Sequence, residues 1–166
     1  SRPELGSSLW ETILEAGRSE NIRPGSPNII DRVEAGLLSF GNEMTVENTP
    51  LECNMDKFLD INKEADYIGK KVLQRQIRYG IKRRIRGVIY NGPKLPTISR
   101  PLQVFDIDKR TIVGSLTSGA FSPHFNSNIG VGMIKYGYWD NNKKILVNIA
   151  GQEFREGLIK DLPLIQ

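Results

Sequence analysis

RRIRGVIY, residues 83–90, marks where the chain changes character. Upstream the apolar residues recur at helical spacing; from here on they come in short β-branched runs. After RRIRGVIY follow PLQVFDI (101–107), TIVGSLTSG (111–119), NIGVGMIKY (128–136), KILVNIA (144–150) and REGLIKDLPL (155–164). Gly, Pro, Asn and Asp separate the runs, as turns between strands require. Six short strands at this spacing predict a small antiparallel barrel or sandwich. The fold class expected is α+β, with helices before a boundary near Ile81 and a small β-barrel after it.

Working outward from residue 83, the helical part reads as three segments. Ser8 and Glu11 stand at capping-box spacing, and Leu9/Ile13 with Trp10/Leu14 make an apolar stripe that ends at Gly17. In the second segment Ser26 and Pro27 suit a helix start. Ile29, Ile30, Val33, Gly36, Leu37 and Phe40 then share one sector, with Leu38 pointing away and Gly41 as the stop. Gly36 in a helix interior would call for a closely packed neighbour. Asn28 and Arg32, four apart, lie on one flank of this helix, and Glu34 lies on the other. In the third segment Asp66 is a candidate cap, Ile68, Val72, Leu73 and Ile77 form a face, and Gly80 ends it. Residues 42–67 between them read as turns and short extended pieces.

Composition excludes several function classes. Apolar residues are 39% and charged residues 25% of 166, as in a globular protein. No run of about 18 apolar residues is present, and no N-terminal secretion pattern is seen, so a cytoplasmic protein is expected. Cys53 is the sole cysteine and His124 the sole histidine. An internal disulfide is therefore excluded, and the two cannot make a zinc site by themselves. Nothing around Cys53 suggests an activated thiol. Asp106 and Asp108 read as turn formers, and His124 as a loop residue. Neither the dinucleotide glycine fingerprint, nor a phosphate loop, nor a zinc-protease helix motif occurs. No catalytic or metal-ligating residue is assigned.

The net charge of +4 is unevenly placed. Lys70, Lys71, Arg75, Arg78, Lys82, Arg83, Arg84 and Arg86 follow one another without an acid. Such a run attracts phosphates. It reads first as a solvated helix face running into a strand. Nucleic acid is not the expected partner, since the aromatics nearby are only Tyr79 and Tyr90.

Three segments carry a family resemblance. DRVEAGLLSFGNEMTVENTPLE (31–52), ADYIGKKVLQRQ (65–76) and VGSLTSGAFSPHFNSNIGVGMI (113–134) resemble, in this order, signatures of the glycine-cleavage T-protein (aminomethyltransferase) family. The resemblance spans nearly the whole chain. PNIIDRVEAGLLSFGN, SPHF and the terminal DLPLI look most like the dimethylsulfoniopropionate demethylase-like branch.

The resemblance implies a tetrahydrofolate-dependent one-carbon transferase and a division of the chain. Residues 1–80 would be the helical remnant of the folate-binding domain, and residues 81–166 the C-terminal β-barrel. A small-molecule methyl or aminomethyl donor is implied, with no membrane partner; a homodimer is left open. The family's catalytic aspartate and much of its pterin pocket belong to an N-terminal half absent from this sequence. That half is the implied partner, and this chain alone is expected to be inactive. T-proteins place a folate-contacting arginine where this chain has Asn28, an exchange the demethylase-like branch shares. Asn28 and Arg32 are the candidate cofactor-binding residues. Arg32 is expected to orient Asn28 or to pair with a carboxylate of the missing half. Thr117, Ser118 and Ser122 could hydrogen-bond nearby. The rival readings are a glycine-cleavage-type aminomethyltransferase and a non-catalytic folate- or RNA-binding module. The cysteine-containing motif of the family's cofactor-assembly branch is missing, which weighs against the folate-binding module.

Overall fold

Each β-type run becomes a strand in the computed structural model, which describes residues 3–25 and 28–165. The strands are β1 (Arg83–Tyr90), β2 (Leu102–Phe105), β3 (Ile112–Ser122), β4 (Ser127–Lys135), β5 (Lys144–Ala150) and β6 (Glu153–Lys160). They close into an antiparallel barrel in the order β1-β4-β3-β2-β5-β6. Closure leaves no sheet edge unpaired, which settles barrel over sandwich.

Alternation along the strands separates two cores. Val88, Tyr90, Val104, Val113, Leu116, Ile134, Ile145, Val147 and Ile159 fill the barrel. Ile85, Ile129 and Val131 form a second cluster with Val33. Gly132 allows β3 and β4 to approach closely. A Cβ there would lie 1.8 Å from the Ser115 carbonyl oxygen. The register shifts next to it, between Leu116 and Ser118.

Three helices precede the barrel: α1 (Gly6–Ala16), α2 (Ile29–Glu34) and α3 (Lys70–Tyr79). α1 ends at Gly17 as expected, but no side chain caps its start, which follows Leu5. The helix begins two residues before Ser8, so the Ser8–Glu11 box lies inside it. Its Leu9, Trp10 and Ile13 are exposed. α3 begins after Gly69, not at Asp66, whose carboxylate accepts only from the adjacent Tyr67 N–H. Of the face expected to pack, Leu73 alone is buried, while Ile68, Val72 and Ile77 are exposed.

α2 departs most from the sequence expectation. Ser26 and Pro27 lie outside the described residues, and the cap is Asn28, whose Oδ1 accepts from Asp31 N at 2.9 Å. The helix stops after Glu34. Gly36 is left-handed at φ 66°. Its N–H bonds Val33 O and the Leu37 N–H bonds Arg32 O. This pair of bonds makes a Schellman cap, so Gly36 is a terminator and no interior residue. A Cβ on it would meet Leu162 Cβ at 3.0 Å, which identifies the close neighbour. Beyond the turn the side chains change sides. Leu38 joins the Val33 cluster, while Leu37 and Phe40 are 63% and 69% exposed.

The C-terminal segment completes this region. Leu162 and Leu164 pack on the Val33 cluster, and the Leu164 N–H bonds Glu34 O at 2.8 Å. α2 is thus held between the barrel wall and the last residues of the chain.

Candidate functional site

The site is built where α2 crosses the outside of β3, the strand it packs against most. One turn of helix carries Asn28, Asp31 and Arg32 past the rim, and Val33 pins the helix to the barrel. The Schellman turn then reverses the chain. Ser39, Asn42 and Glu43 come to lie opposite Arg32, and Gly41 N–H bonds Met44 O within the tight turn.

Arg32 is the centre of the polar cluster. Its Nη1 donates to Leu37 O at 2.9 Å and to Glu43 Oε2 at 2.8 Å. Its Nη2 donates to Glu43 Oε1 at 3.1 Å and to Ser118 Oγ at 2.6 Å. A guanidinium has five N–H groups, so only the Nε–H remains uncommitted. Arg32 therefore pairs with a carboxylate of its own chain, and its guanidinium bonds Leu37 O, Glu43 and Ser118 and not the Asn28 side chain; only its backbone N–H reaches Asn28, at the carbonyl, 3.2 Å away. Ser118 arrives on β3, just after the bulge, and also accepts from Asn42 Nδ2 at 2.6 Å. With both lone pairs occupied, its own proton is free for Glu43.

Glu43 is buried, with Ser39 N–H and Asn42 Nδ2 as further donors at 2.6 and 3.2 Å. Burial alone would push its carboxyl pKa up. Bonds from Arg32, Ser118 and Ser39, together with the Arg32 charge, outweigh burial and hold it below the ordinary 4.5. Sequence reading passed over Glu43. Its acidic position in the GNEM turn was visible, but its distance from Arg32 was not.

Glu34 sits on the opposite flank, as the helical spacing predicts, and is buried. Its Oε1 accepts from Ser122 Oγ at 2.5 Å, and Ser122 Oγ accepts from Phe125 N–H at 3.1 Å. The two charges that bracket the stripe thus both anchor α2 to β3. One uses Ser118, the other Ser122, one helical flank each. Thr117 occupies the bulge itself.

Asn28 and Asp31 remain on the open side of α2, both exposed, with Asn28 Nδ2 donating to Asp31 Oδ2 at 2.6 Å. Leu37, Phe40 and Val46, further along the chain, are exposed as well. For a folate, the fit is one-sided. Asn28 presents a carboxamide on an uncovered face, whereas the Arg32 charge is already neutralised. The described residues offer one wall and no enclosing cradle.

The remaining candidates take structural places. Cys53 is buried, and burial, reinforced by the Glu52 carboxylate, raises its thiol pKa, the reverse of activation. Asp108 accepts from Arg110 N, Thr111 N and Thr111 Oγ1, which makes the hairpin turn. Exposed His124 stacks edge-on with Phe125. Among the described residues no three His, Cys, Asp or Glu side chains are placed to hold a metal. None of the helices there is long and apolar enough to cross a membrane.

Comparison with known proteins gives a consistent picture. Residues 83–162, the barrel with two residues beyond β6, match the glycine cleavage T-protein C-terminal barrel domain. The chain is 41% identical over 136 residues to the dimethylsulfoniopropionate demethylase of Ruegeria pomeroyi, covering 82% of this chain and 36% of that protein. It is 32% identical over 160 residues to an aminomethyltransferase of a Geobacillus species, covering 95% and 43%. The crystal structure of the glycine cleavage system aminomethyltransferase T from Bartonella henselae superposes with a TM-score of 0.74. At 21% identity, covering 98% of this chain and 44% of that one, it supports the fold. The chain spans less than half the length of the curated relatives it matches.

Proposed function

From a chain that belongs to the glycine-cleavage T-protein (aminomethyltransferase) family, as the counterpart of its C-terminal half, we propose part of a tetrahydrofolate-dependent one-carbon transferase. The donor proposed is a sulfonium of the dimethylsulfoniopropionate kind. The observation that carries this reading is the 41% identity to a demethylase against 32% to an aminomethyltransferase.

Tetrahydrofolate, when bound, supplies the nitrogen that accepts the carbon. A sulfonium loses its methyl with the C–S electron pair left on sulfur, which becomes a neutral thioether, while the accepting nitrogen gives up its proton to solvent. Such a transfer asks chiefly for alignment of donor and acceptor. Asn28 is proposed as the contact to folate or donor. Arg32, held by Glu43 and Ser118, fixes the helix that presents it and is a positioning residue. The open face of α2, with Leu37, Phe40 and Val46, and the uncovered stripe of α1 would receive polypeptide equivalent to the rest of those relatives.

The test joins this chain to the N-terminal part of the Ruegeria demethylase and follows 5-methyltetrahydrofolate formed from dimethylsulfoniopropionate. Transfer by the joined protein and none by the 166-residue chain is expected. Transfer by the isolated chain at a comparable rate would overturn the proposed division of labour. A folded joined protein without methyl transfer would overturn the assigned donor. The aminomethyltransferase reading stands second, because the Geobacillus relative aligns over 95% of the chain against 82% for the demethylase. Aminomethyl transfer by the same joined protein would favour it.

A further inference from the structure

The structure sorts the cationic run into two groups. Arg83, Arg84 and Arg86 are on β1 and pair with Glu52, Asp56 and Asp161. Lys70 turns back onto the carbonyls of Lys63 and Ala65 at 2.5 and 3.0 Å. Lys71, Arg75, Arg78 and Lys82 have no carboxylate partner among the described residues. The first three recur at i, i+4 and i+7 on α3, a helix without an acid.

Beside that stripe lies an open groove of about 860 Å³ between α3, the start of β1 and Tyr136. Arg75, Gln76 and Tyr79 line it from the helix, and Lys82 and Tyr136 line it from the barrel. The Tyr136 N–H bonds Lys82 O at 2.9 Å, which fixes the two side chains as neighbours. Both tyrosines are largely exposed, Tyr79 at 73% and Tyr136 at 72%. Gln76 Oε1 is buried with no hydrogen-bond partner among the described residues. Glu52 also reaches the groove, but Arg83 neutralises it at 3.0 Å.

These groups ask for one kind of ligand. Two unpaired cations favour phosphate, and exposed tyrosine rings favour a flat ring. We propose that this groove is a binding site for a nucleotide moiety. Arg75 and Lys82 hold its phosphate, and Tyr136 stacks its base. The moiety comes either free or within single-stranded RNA. The site is independent of the one-carbon reading, since it shares no residue with the α2 cluster.

Trp139 contacts the Tyr136 ring edge-on with centroids 5.2 Å apart and serves as the reporter. In a Trp10→Phe background its fluorescence is titrated at low salt with each nucleoside monophosphate, a ten-nucleotide single-stranded RNA, inorganic phosphate and polyaspartate. Saturable quenching by nucleotide or RNA is expected, weakened about tenfold in Arg75→Gln/Lys82→Gln. Tyr136→Phe should preserve binding, and Tyr136→Ala, read by calorimetry, should weaken it. Equal affinity for monophosphate and oligomer identifies a free nucleotide. Much tighter, strongly salt-dependent binding of the oligomer identifies RNA. No quenching by any nucleotide, equal binding of polyaspartate, or indifference to the double substitution in a protein of unchanged circular dichroism would each overturn the proposal.

Discussion

At residue scale the account turns on Arg32 and Glu43. The pair is partly buried and supported by four further polar groups, so it is worth more than a surface ion pair. Because the folded-state carboxyl pKa of Glu43 is lowered, the folded protein binds its proton less tightly than the unfolded chain does. Its contribution to stability is complete above the ordinary 4.5 and is lost as pH falls through the lower folded value. Glu43→Gln should therefore cost about 2 kcal/mol at pH 7. The gap from the parent should narrow below pH 4.5, measured by urea unfolding across pH. A gap that stays constant or widens in acid would show that the carboxylate charge is not what matters. Cys53, buried with a raised thiol pKa, should react with a disulfide reagent at least about tenfold slower in the folded protein than in urea. Both residues show the reach of sequence. That nothing next to Cys53 activates its thiol could be read from its sequence neighbours. The role of Glu43 depends on a left-handed turn at Gly36 and a strand 75 positions away in sequence, counting from Glu43 to Ser118.

At the scale of elements, α2 explains why periodicity misled. Ile29, Val33 and Glu34 obey helical spacing, but Leu37 and Phe40 continue the pattern only on paper. A glycine whose freedom is needed for a Schellman turn looks, in sequence, like a glycine inside a helix. Gly36→Ala should cost about 2 kcal/mol, since it adds both a strained φ and contact with Leu162. Gly41→Ala, also left-handed but facing open space, should cost about 1 kcal/mol. Thermal or urea unfolding of the two variants checks the order; equal losses would remove Leu162 from the explanation. α3 shows the same limit. Its amphipathic face was legible, yet Val72 and Ile77 stay uncovered. Periodicity reports that a face is apolar and says nothing about which partner covers it.

For the whole molecule, the barrel was the most legible part. Six β-branched runs gave six strands, because strand length, turn residues and alternation all point the same way. Their order around the barrel was not legible: it depends on long-range pairing such as β1 with β4 and β6. Gly132 carries a more local pairing, that of β4 with β3. Gly132→Ala places a methyl against the Ser115 carbonyl and should cost about 3 kcal/mol, read as a lowered unfolding midpoint. The barrel in turn supplies Ser118 and Ser122, which hold α2 so that Asn28 faces outward. The candidate site is therefore a product of both parts of the chain, and no local motif contains it.

Its most direct test is the affinity of 5-formyltetrahydrofolate for the chain joined to a relative's N-terminal part, measured calorimetrically for the parent and Asn28→Ser. Serine keeps the helix cap and removes the carboxamide, so the fold is preserved. A loss of affinity of about tenfold, the worth of one well-placed hydrogen bond, is predicted. Unchanged affinity would contradict the claim that the open face of α2 is a wall of the cofactor site.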